Sequence, residues 1–301
     1  MKFGSTANPG QADLSLPKDH PETAKVLAQK GGSGSPSLYV GCAKWNRKDL
    51  KNFYPRGTKD ELEYYGSQFN SVELNATFYN TFDQEQMETW NGKVPENFKF
   101  FPKVNRYISH LKWLNGIEEA TDDYYDSIIH FKEKLGTTFL QLRGNFRPKF
   151  FDRVQAFVEY WPDGVPLAVE FRHTDWFDDA HVATELYQLL EENNVANVIT
   201  DTAGRRDLLH MRLTNNEVFV RYVGANHPTD VSRLEEWAGR LQKWHEQGLE
   251  NIHFFVHQNK ERKSPILAAH FIRQMNEVLD TDLKIPDAGE NEGQEELFKN
   301  E

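Results

Sequence analysis

Eight apolar runs of strand length recur along this chain, and helix-like segments separate most of them. The runs occupy residues 38–43, 71–76, 98–104, 138–142, 167–171, 196–201, 218–223 and 252–257. Apolar residues at helical spacing fill 60–69, 84–90, 122–135, 151–161, 180–193, 234–247 and 265–279. Such alternation is typical of α/β folds with parallel strands. Eight units of this size predict a single (β/α)8 TIM-type barrel.

A doubly wound open sheet is the alternative arrangement for the same alternation. Folds of that class that bind dinucleotides carry a Gly-x-Gly-x-x-Gly turn after their first strand. The segment from Gly41 to Trp45 reads Gly-Cys-Ala-Lys-Trp and lacks that turn. No phosphate-binding P-loop motif occurs elsewhere in the chain. The barrel is therefore the favoured prediction, and no cofactor is expected.

The two ends of the chain differ in composition from the middle. Residues 1–36 are rich in glycine and proline and predict an N-terminal arm, with one short helix at 22–30. Residues 37–285 would form the barrel domain. Residues 286–301 are rich in Glu, Gly, Asn and Gln, which predicts a disordered acidic tail.

Composition excludes several classes of protein. The 301 residues are 38% hydrophobic and 27% charged, as in ordinary globular domains. No apolar run approaches the length of a membrane span, so we expect no membrane association. Cys42 is the only cysteine and no apolar signal core is present, so a cytoplasmic location is expected. A net charge of −11 weighs against a general nucleic-acid-binding surface.

Polar side chains gather at the carboxyl end of the apolar runs. In the second run, Val72 and Leu74 point to one side and suit a helix layer, whereas Glu73 and Asn75 point to the other. The remaining runs end near Lys44, Trp45, Tyr79, Lys103, Gln141, Glu170, Arg172, His173, Asp201, Arg221 and His257. In a barrel these strand ends meet on one face. We therefore expect Glu73, Lys103, Glu170, Arg172, Asp201 and Arg221 to line one pocket, with Asn75, Tyr79 and Trp45 at its edge.

Two interpretations of this concentration of charge remain open. One is a ring of structural ion pairs that holds the end of the barrel together. The other is a functional pocket, which is favoured because buried ion pairs are costly to desolvate and are not needed for stability.

The residue types suggest several chemistries. Glu73 and Glu170 could act as acid and base across the pocket, with Lys103 and Asp201 as further candidate catalytic residues. Lys103 could instead form a Schiff base, although a salt-bridged lysine is the simpler expectation. No His or Cys pair has metal-ligand spacing, so no metal is predicted. Candidate ligand-binding residues are Lys44, Trp45, Asn75, Tyr79, Arg172, His173, Arg221 and His257, which combine cations with aromatic stacking surfaces.

Several motifs resemble the DUF72 (YecE-like) family over residues 38–279. They are Tyr-Val-Gly-Cys-Ala-Lys-Trp at 39–45, Val-Glu-Leu-Asn-Ala-Thr-Phe-Tyr at 72–79, Val-Glu-Phe-Arg-His at 169–173 and Ile-Thr-Asp-Thr at 199–202. The resemblance implies a TIM barrel. It implies no reaction, because the family's activity is not established. An analogy of some members to endonuclease IV-like barrels concerns the fold alone.

This chain departs from the family pattern at three strand ends. Cys42, Ala43 and Lys44 stand before Trp45, where Thr-Ser-Gly is more common. The seventh run reads Val-Arg-Tyr-Val-Gly and lacks the usual histidine. The eighth reads Phe-Val-His-Gln-Asn, which could place His257 in the pocket instead.

The combined prediction is a DUF72-like barrel that binds a small anionic or sugar-like ligand in a charged pocket. The two carboxylates of the pocket would also allow acid/base catalysis. The alternative is a non-catalytic nucleic-acid-binding or endonuclease IV-like module. Salt dependence separates the two, because phosphate-dominated binding of a strand falls steeply with salt. The sequence indicates no oligomeric state.

Overall fold

The computed structural model describes residues 4–30 and 34–288 of the chain. Every predicted run contains a strand, and the strands are short and mostly buried. They are β1 (Ser37–Cys42), β2 (Ser71–Leu74), β3 (Lys99–Pro102), β4 (Thr138–Gln141), β5 (Leu167–Glu170), β6 (Ala196–Asn197), β7 (Ile199–Thr202), β8 (Glu217–Gly224) and β9 (Asn251–Gln258). The sixth predicted run is divided at Val198 into β6 and β7.

The helices of the described residues are α1 (Thr23–Lys30), α2 (Glu61–Gln68), α3 (Ala76–Tyr79), α4 (Gln84–Gly92), α5 (Glu118–Ile128), α6 (Phe151–Tyr160), α7 (Asp175–Asp178), α8 (Ala180–Glu192), α9 (Thr229–Glu246) and α10 (Ser264–Leu279). The short helices α3 and α7 were not predicted, and the others overlap predicted helical segments. Aspartates cap three of them, because Asp60, Asp83 and Asp179 accept hydrogen bonds from the first free N–H groups of α2, α4 and α8. A π-helical turn at Tyr107–Leu111 follows β3.

The strands form two parallel sheets. One has six strands in the order β3-β2-β1-β9-β8-β7, and the other has three in the order β4-β5-β6. Isolated parallel bridges join Phe100 to Leu135 and Lys103 to Phe139, next to β3 and β4. At the other boundary, only Val198 separates β6 from β7. The protein is therefore an α/β fold with parallel sheets, as predicted at that level.

Two apolar clusters lie on opposite faces of the strands. The smaller one draws on both sheets and consists of Phe101, Phe139, Ala168, Ala196, Val198, Phe219 and Phe255, with Tyr39 against it. The larger one joins Val72 and Leu74 to helix residues such as Leu62 and Tyr65. The predicted alternation of β2 is thus confirmed, since Val72 and Leu74 pack toward the helices.

The described part of the N-terminal arm lies against the helices and strand ends. Asn259 Nδ2 donates to the carbonyl oxygen of Gly4 at 2.9 Å, and Asp19 forms ion pairs with Arg240 and Lys243 of α9. Leu16 is buried in the larger cluster. The predicted tail falls almost entirely outside the described residues. Within the described ranges, no helix is long and apolar enough to cross a membrane.

Candidate functional site: a charged cluster at the strand ends

Seven side chains meet at the carboxyl ends of the strands, and we call them the strand-end cluster. They are Glu73, Lys103, Gln141, Glu170, Arg172, Arg221 and His257. Parallel pairing explains part of this assembly, because it places Gln141 of β4 directly beside Glu170 of β5. Alternation along each strand then turns these side chains to the face that carries the smaller apolar cluster.

Arg221 on β8 is the centre of the cluster and is 6% exposed. Its Nε and Nη2 atoms each donate to one carboxylate oxygen of Glu73 at 2.9 Å. Its Nη1 donates to Oε2 of Glu170 at 2.7 Å. One guanidinium therefore binds two buried carboxylates, one from each sheet. Its contact with Glu73 has the two parallel hydrogen bonds that arginine favours.

Glu73 is fully enclosed and has further partners. His257 Nε2 lies 2.8 Å from its Oε2, and Asn75 Nδ2 donates to its Oε1 at 2.8 Å. Burial opposes ionisation of this carboxyl. Arg221 and His257 outweigh burial and hold the pKa of Glu73 well below its ordinary value. Glu73 is thus a fixed anion that orients its neighbours.

Glu170 is also ionised, but one of its oxygens remains open. Burial raises the pKa of Glu170, yet Arg221 and Arg172 lower it further, to about 2. Oε2 accepts from Gln141 Nε2 at 2.7 Å as well as from Arg221. Oε1 lies 3.3 Å from Arg172 Nε and accepts no hydrogen bond from the described residues. This oxygen could accept a hydrogen bond from a bound hydroxyl group.

Lys103 directly follows β3 and lies among cations. Its Nζ donates to Oε1 of Gln141 at 2.9 Å and lies 4.3 Å from the centre of the Phe78 ring. No carboxylate oxygen of the described residues lies within 4.0 Å of this nitrogen. Burial, followed by repulsion from Arg221, lowers the pKa of Lys103 to about 7. The expected salt-bridged lysine is therefore not what the structure shows.

Nearby His110 responds to the same positive surroundings. Burial, then the charges of Lys103 and Arg143, lower its pKa to about 4. Within the cluster, Arg172 and Arg221 balance the two carboxylates, and Lys103 adds a third cation when it is protonated. A bound anion would favour the protonated form of Lys103, so the site is suited to an anion.

Asp201 corrects one prediction. It lies in β7, but its side chain turns toward α9, where Oδ1 accepts from Arg233 at 2.6 Å and Oδ2 from Trp237 Nε1 at 2.8 Å. Arg206 donates to it as well. Its strand neighbour Ile199 packs in the larger, helix-side apolar cluster. The expected convergence of Asp201 with Glu73 is wrong, because the residues of β7 at its position face the helices.

Four other predicted residues have their described contacts outside the strand-end cluster. Lys44 pairs with Asp49 at 3.3 Å, and Trp45 packs edge-on against Trp90. His173 Nδ1 lies 3.3 Å from Asp175. Tyr79 is 59% exposed on α3. The structure thus brings together seven of the twelve predicted site residues: Glu73, Asn75, Lys103, Glu170, Arg172, Arg221 and His257.

Gln141 is the member of the cluster that was not among the predicted site residues. It links Lys103 to Glu170 through one hydrogen bond on each side of its amide. Its position at the end of the fourth apolar run matches that of Glu170 in the fifth, which was the available signal. In the portion of the chain that the structure describes, no group of three or more His, Cys, Asp or Glu side chains is arranged to hold a metal. The absence of metal remains a prediction.

Comparisons with known proteins agree on the family. The chain is 25% identical to the UPF0759 protein YecE of Escherichia coli K12 over 231 residues, which are 69% of this chain and 82% of YecE. It is 24% identical to the UPF0759 protein YunF of Bacillus subtilis over 246 residues, 70% of this chain and 85% of YunF.

Solved structures show the same fold. A DUF72 family protein of Enterococcus faecalis has a TM-score of 0.67 at 20% identity, covering 82% of this chain and 99% of that one. Another from Thermotoga maritima has a TM-score of 0.62 at 23% identity, covering 81% of this chain and all of that one (100%). The profile described as "Protein of unknown function DUF72" matches residues 39–289. The chain therefore belongs to the DUF72 family.

Proposed function

We propose that this protein binds a small anionic or sugar-like ligand at the strand-end cluster. The observation that carries the proposal is the set of three largely buried basic groups, Lys103, Arg172 and Arg221, around two fixed carboxylates. Buried charge is stable only when it is compensated by an opposite charge or by hydrogen bonds. A phosphate or carboxylate group supplies both, through short charge-assisted hydrogen bonds to lysine and arginine.

The ionisation states narrow the chemistry that this ligand could undergo. Glu73 and Glu170 are held as anions, so neither carboxyl has a proton to donate near neutral pH. Lys103, with its pKa near 7, is suited to transfer a proton there. Carboxylate acid/base catalysis is therefore proposed in a modified form, with Lys103 as the titrating group and Glu170 Oε1 as an acceptor for a ligand hydroxyl.

The proposed location is strengthened if the two sheets form one closed (β/α)8 barrel. Support comes from the bridge between Lys103 and Phe139 and from the single residue, Val198, between β6 and β7. The smaller apolar cluster also joins residues of both sheets, as a barrel interior does. Barrel enzymes hold their active sites at the carboxyl ends of the strands, where this cluster lies.

Isothermal titration calorimetry with inorganic phosphate, glycerol phosphate and glucose 6-phosphate tests the proposal. Arg172→Gln should weaken binding at least about tenfold, since a hydrogen bond to a charged group contributes about 1.5–3 kcal/mol. Arg206→Gln is the matched control, because Arg206 is similarly exposed (22% against 20%) but pairs with Asp201. Equal affinities for the two variants, or no binding by the wild type, would contradict the proposal.

A second candidate ligand, the end of a nucleic-acid strand, is favoured by exposed aromatic residues beside cations. Tyr79 and Tyr107 are 59% and 45% exposed. Arg106 lies over the first ring at 5.9 Å and Lys112 over the second at 5.4 Å. Such pairs can stack on bases and contact the backbone. Affinity for a short oligonucleotide that falls steeply between low and physiological salt would favour this candidate over a small buried ligand.

A further inference from the structure

Lys103 is bonded unusually lightly for a buried lysine. Its ammonium group has three protons to donate, and the described contacts give it one hydrogen-bond acceptor, the neutral amide oxygen of Gln141 at 2.9 Å. A phenyl ring, that of Phe78, covers another side of the nitrogen at 4.3 Å. The residue is 7% exposed, so the site is enclosed but not sealed. A nitrogen held in this way keeps a lone pair for reaction whenever it loses a proton.

Lys134 is a second buried lysine, and its contacts are those of a lysine with a structural role. Its side chain is also 7% exposed. It donates to the carbonyl oxygens of Asn91 and Val94 at 2.9 Å each and forms an ion pair with Glu96 at 3.6 Å. Two hydrogen bonds and one ion pair thus compensate its charge. The comparison separates Lys103, which lies among cations, from a lysine whose charge is compensated.

We propose that Lys103 is a nucleophile that forms an imine with an aldehyde or ketone group of an anionic ligand. This inference rests on the proposed anion site and defines its ligand more narrowly, as a small carbonyl compound carrying a carboxylate or phosphate. Arg172 would bind the anionic group, the positive charge of Arg221 would favour it from behind the two carboxylates, and Lys103 would meet the carbonyl carbon. Burial beside cations is the environment that activates lysine for this chemistry, and the lowered pKa of Lys103 agrees with it.

The covalent step balances without any other reactant. The neutral amine attacks the carbonyl carbon, a C–N bond forms, and the π-electron pair moves to the carbonyl oxygen, which takes up a proton. The nitrogen loses a proton, which balances the one on oxygen and gives a carbinolamine. The hydroxyl group then leaves as one water with the second proton of the nitrogen, and a C=N bond remains. Neighbouring cations stabilise the negative charge that develops on oxygen during the attack.

Trapping with sodium borohydride tests the inference on the full chain. Glyoxylate is the probe, because it is a small aldehyde that carries a carboxylate. Borohydride donates hydride to the C=N bond and leaves a carboxymethyl group on the lysine, which peptide mass spectrometry locates. We expect Lys103 to be labelled at least about tenfold more than surface lysines, with labelling that rises through pH 7. Lys134 in the same digest is the internal control and should stay unlabelled.

Further variants and competitors separate the possible failures. Lys103→Arg keeps a positive charge at this position and should reduce labelling of the whole protein to the level of its surface lysines. Excess inorganic phosphate should protect Lys103 in the wild type. Phosphate binding by calorimetry together with labelling of Lys103 no greater than that of surface lysines would overturn the imine and leave the anion site standing. Absence of both would overturn the two proposals together.

Discussion

Replacing Arg221 with methionine should destabilise the fold more than the loss of any surface arginine. The change removes the guanidinium that donates to Glu73 twice and to Glu170 once, and it leaves both carboxylates buried. Breaking a buried ion pair by removing one partner costs about 3–5 kcal/mol. His257, Gln141 and Arg172 still contact the carboxylates, so we expect a loss of about 4 kcal/mol. That loss corresponds to a melting temperature lower by roughly 8–16 °C.

The sign of the pH dependence is specific to this explanation. In the wild type the pKa values of Glu73 and Glu170 lie below the ordinary value, so their stabilisation is present above about pH 4.3 and is lost as pH falls. Without Arg221, burial raises the pKa values of both carboxyl groups. As the pH falls they take up protons, and the cost of burying their charge disappears. The difference in unfolding free energy should therefore be largest at pH 7 and shrink toward pH 4.

Urea unfolding followed by circular dichroism at both pH values measures this difference. Arg147→Met is the control, because Arg147 forms an exposed ion pair with Asp175 whose contribution should stay below about 1 kcal/mol. A loss for Arg221→Met no larger than that of the control, or a difference that grows as the pH falls, would refute the reasoning.

Three further predictions concern the frame around the cluster. Gly41→Ala should destabilise the protein several-fold more than a typical surface change, because a Cβ there would lie 2.2 Å from the carbonyl oxygen of Ser71. Gly239→Ala on α9 meets no atom within 4 Å and should stabilise the protein by about 0.5–1 kcal/mol. Urea unfolding measures both changes. Asp201→Asn should cost roughly 3 kcal/mol by disturbing the pair with Arg233, while calorimetry should show unchanged phosphate affinity. Elemental analysis of untagged protein should find no stoichiometric transition metal, and one equivalent of zinc would contradict the account.

The sequence predicted the α/β alternation well because the pattern that determines it is local. Strand-length apolar runs separated by helical spacing located the strands and the longer helices, although not the short helices α3 and α7. Alternation in β2 also assigned Val72 and Leu74 to the helix side and Glu73 to the polar side. In that strand only one side is apolar, so the assignment of faces is unambiguous.

The same reasoning failed in the sixth run because both of its faces are partly polar. Thr200 and Asp201 are adjacent and point to opposite sides, so polarity alone does not say which faces the interior. The partners that bury Asp201, Arg233 and Trp237, lie 32 and 36 residues further along the chain. The local sequence pattern around Asp201 does not show that an indole N–H and a guanidinium from so far along the chain will bind it.

The local sequence pattern likewise does not predict the hydrogen-bond and ion-pair partners of Lys103. The other members of the cluster come from five other strands. Whether Lys103 forms a salt bridge depends on which carboxylates pair with Arg221. Arg221 takes both, and Gln141 then lies between Lys103 and Glu170. Only the assembled strand ends determine that arrangement.

A crystal structure of the protein grown or soaked with a small phosphorylated sugar tests anion binding at the strand-end cluster most directly. We expect density for the anionic group within hydrogen-bond distance of Arg172 and Lys103, with a sugar oxygen near Glu170 Oε1. Density for the ligand elsewhere on the molecule, with an unchanged strand-end cluster free of any anion, would contradict it.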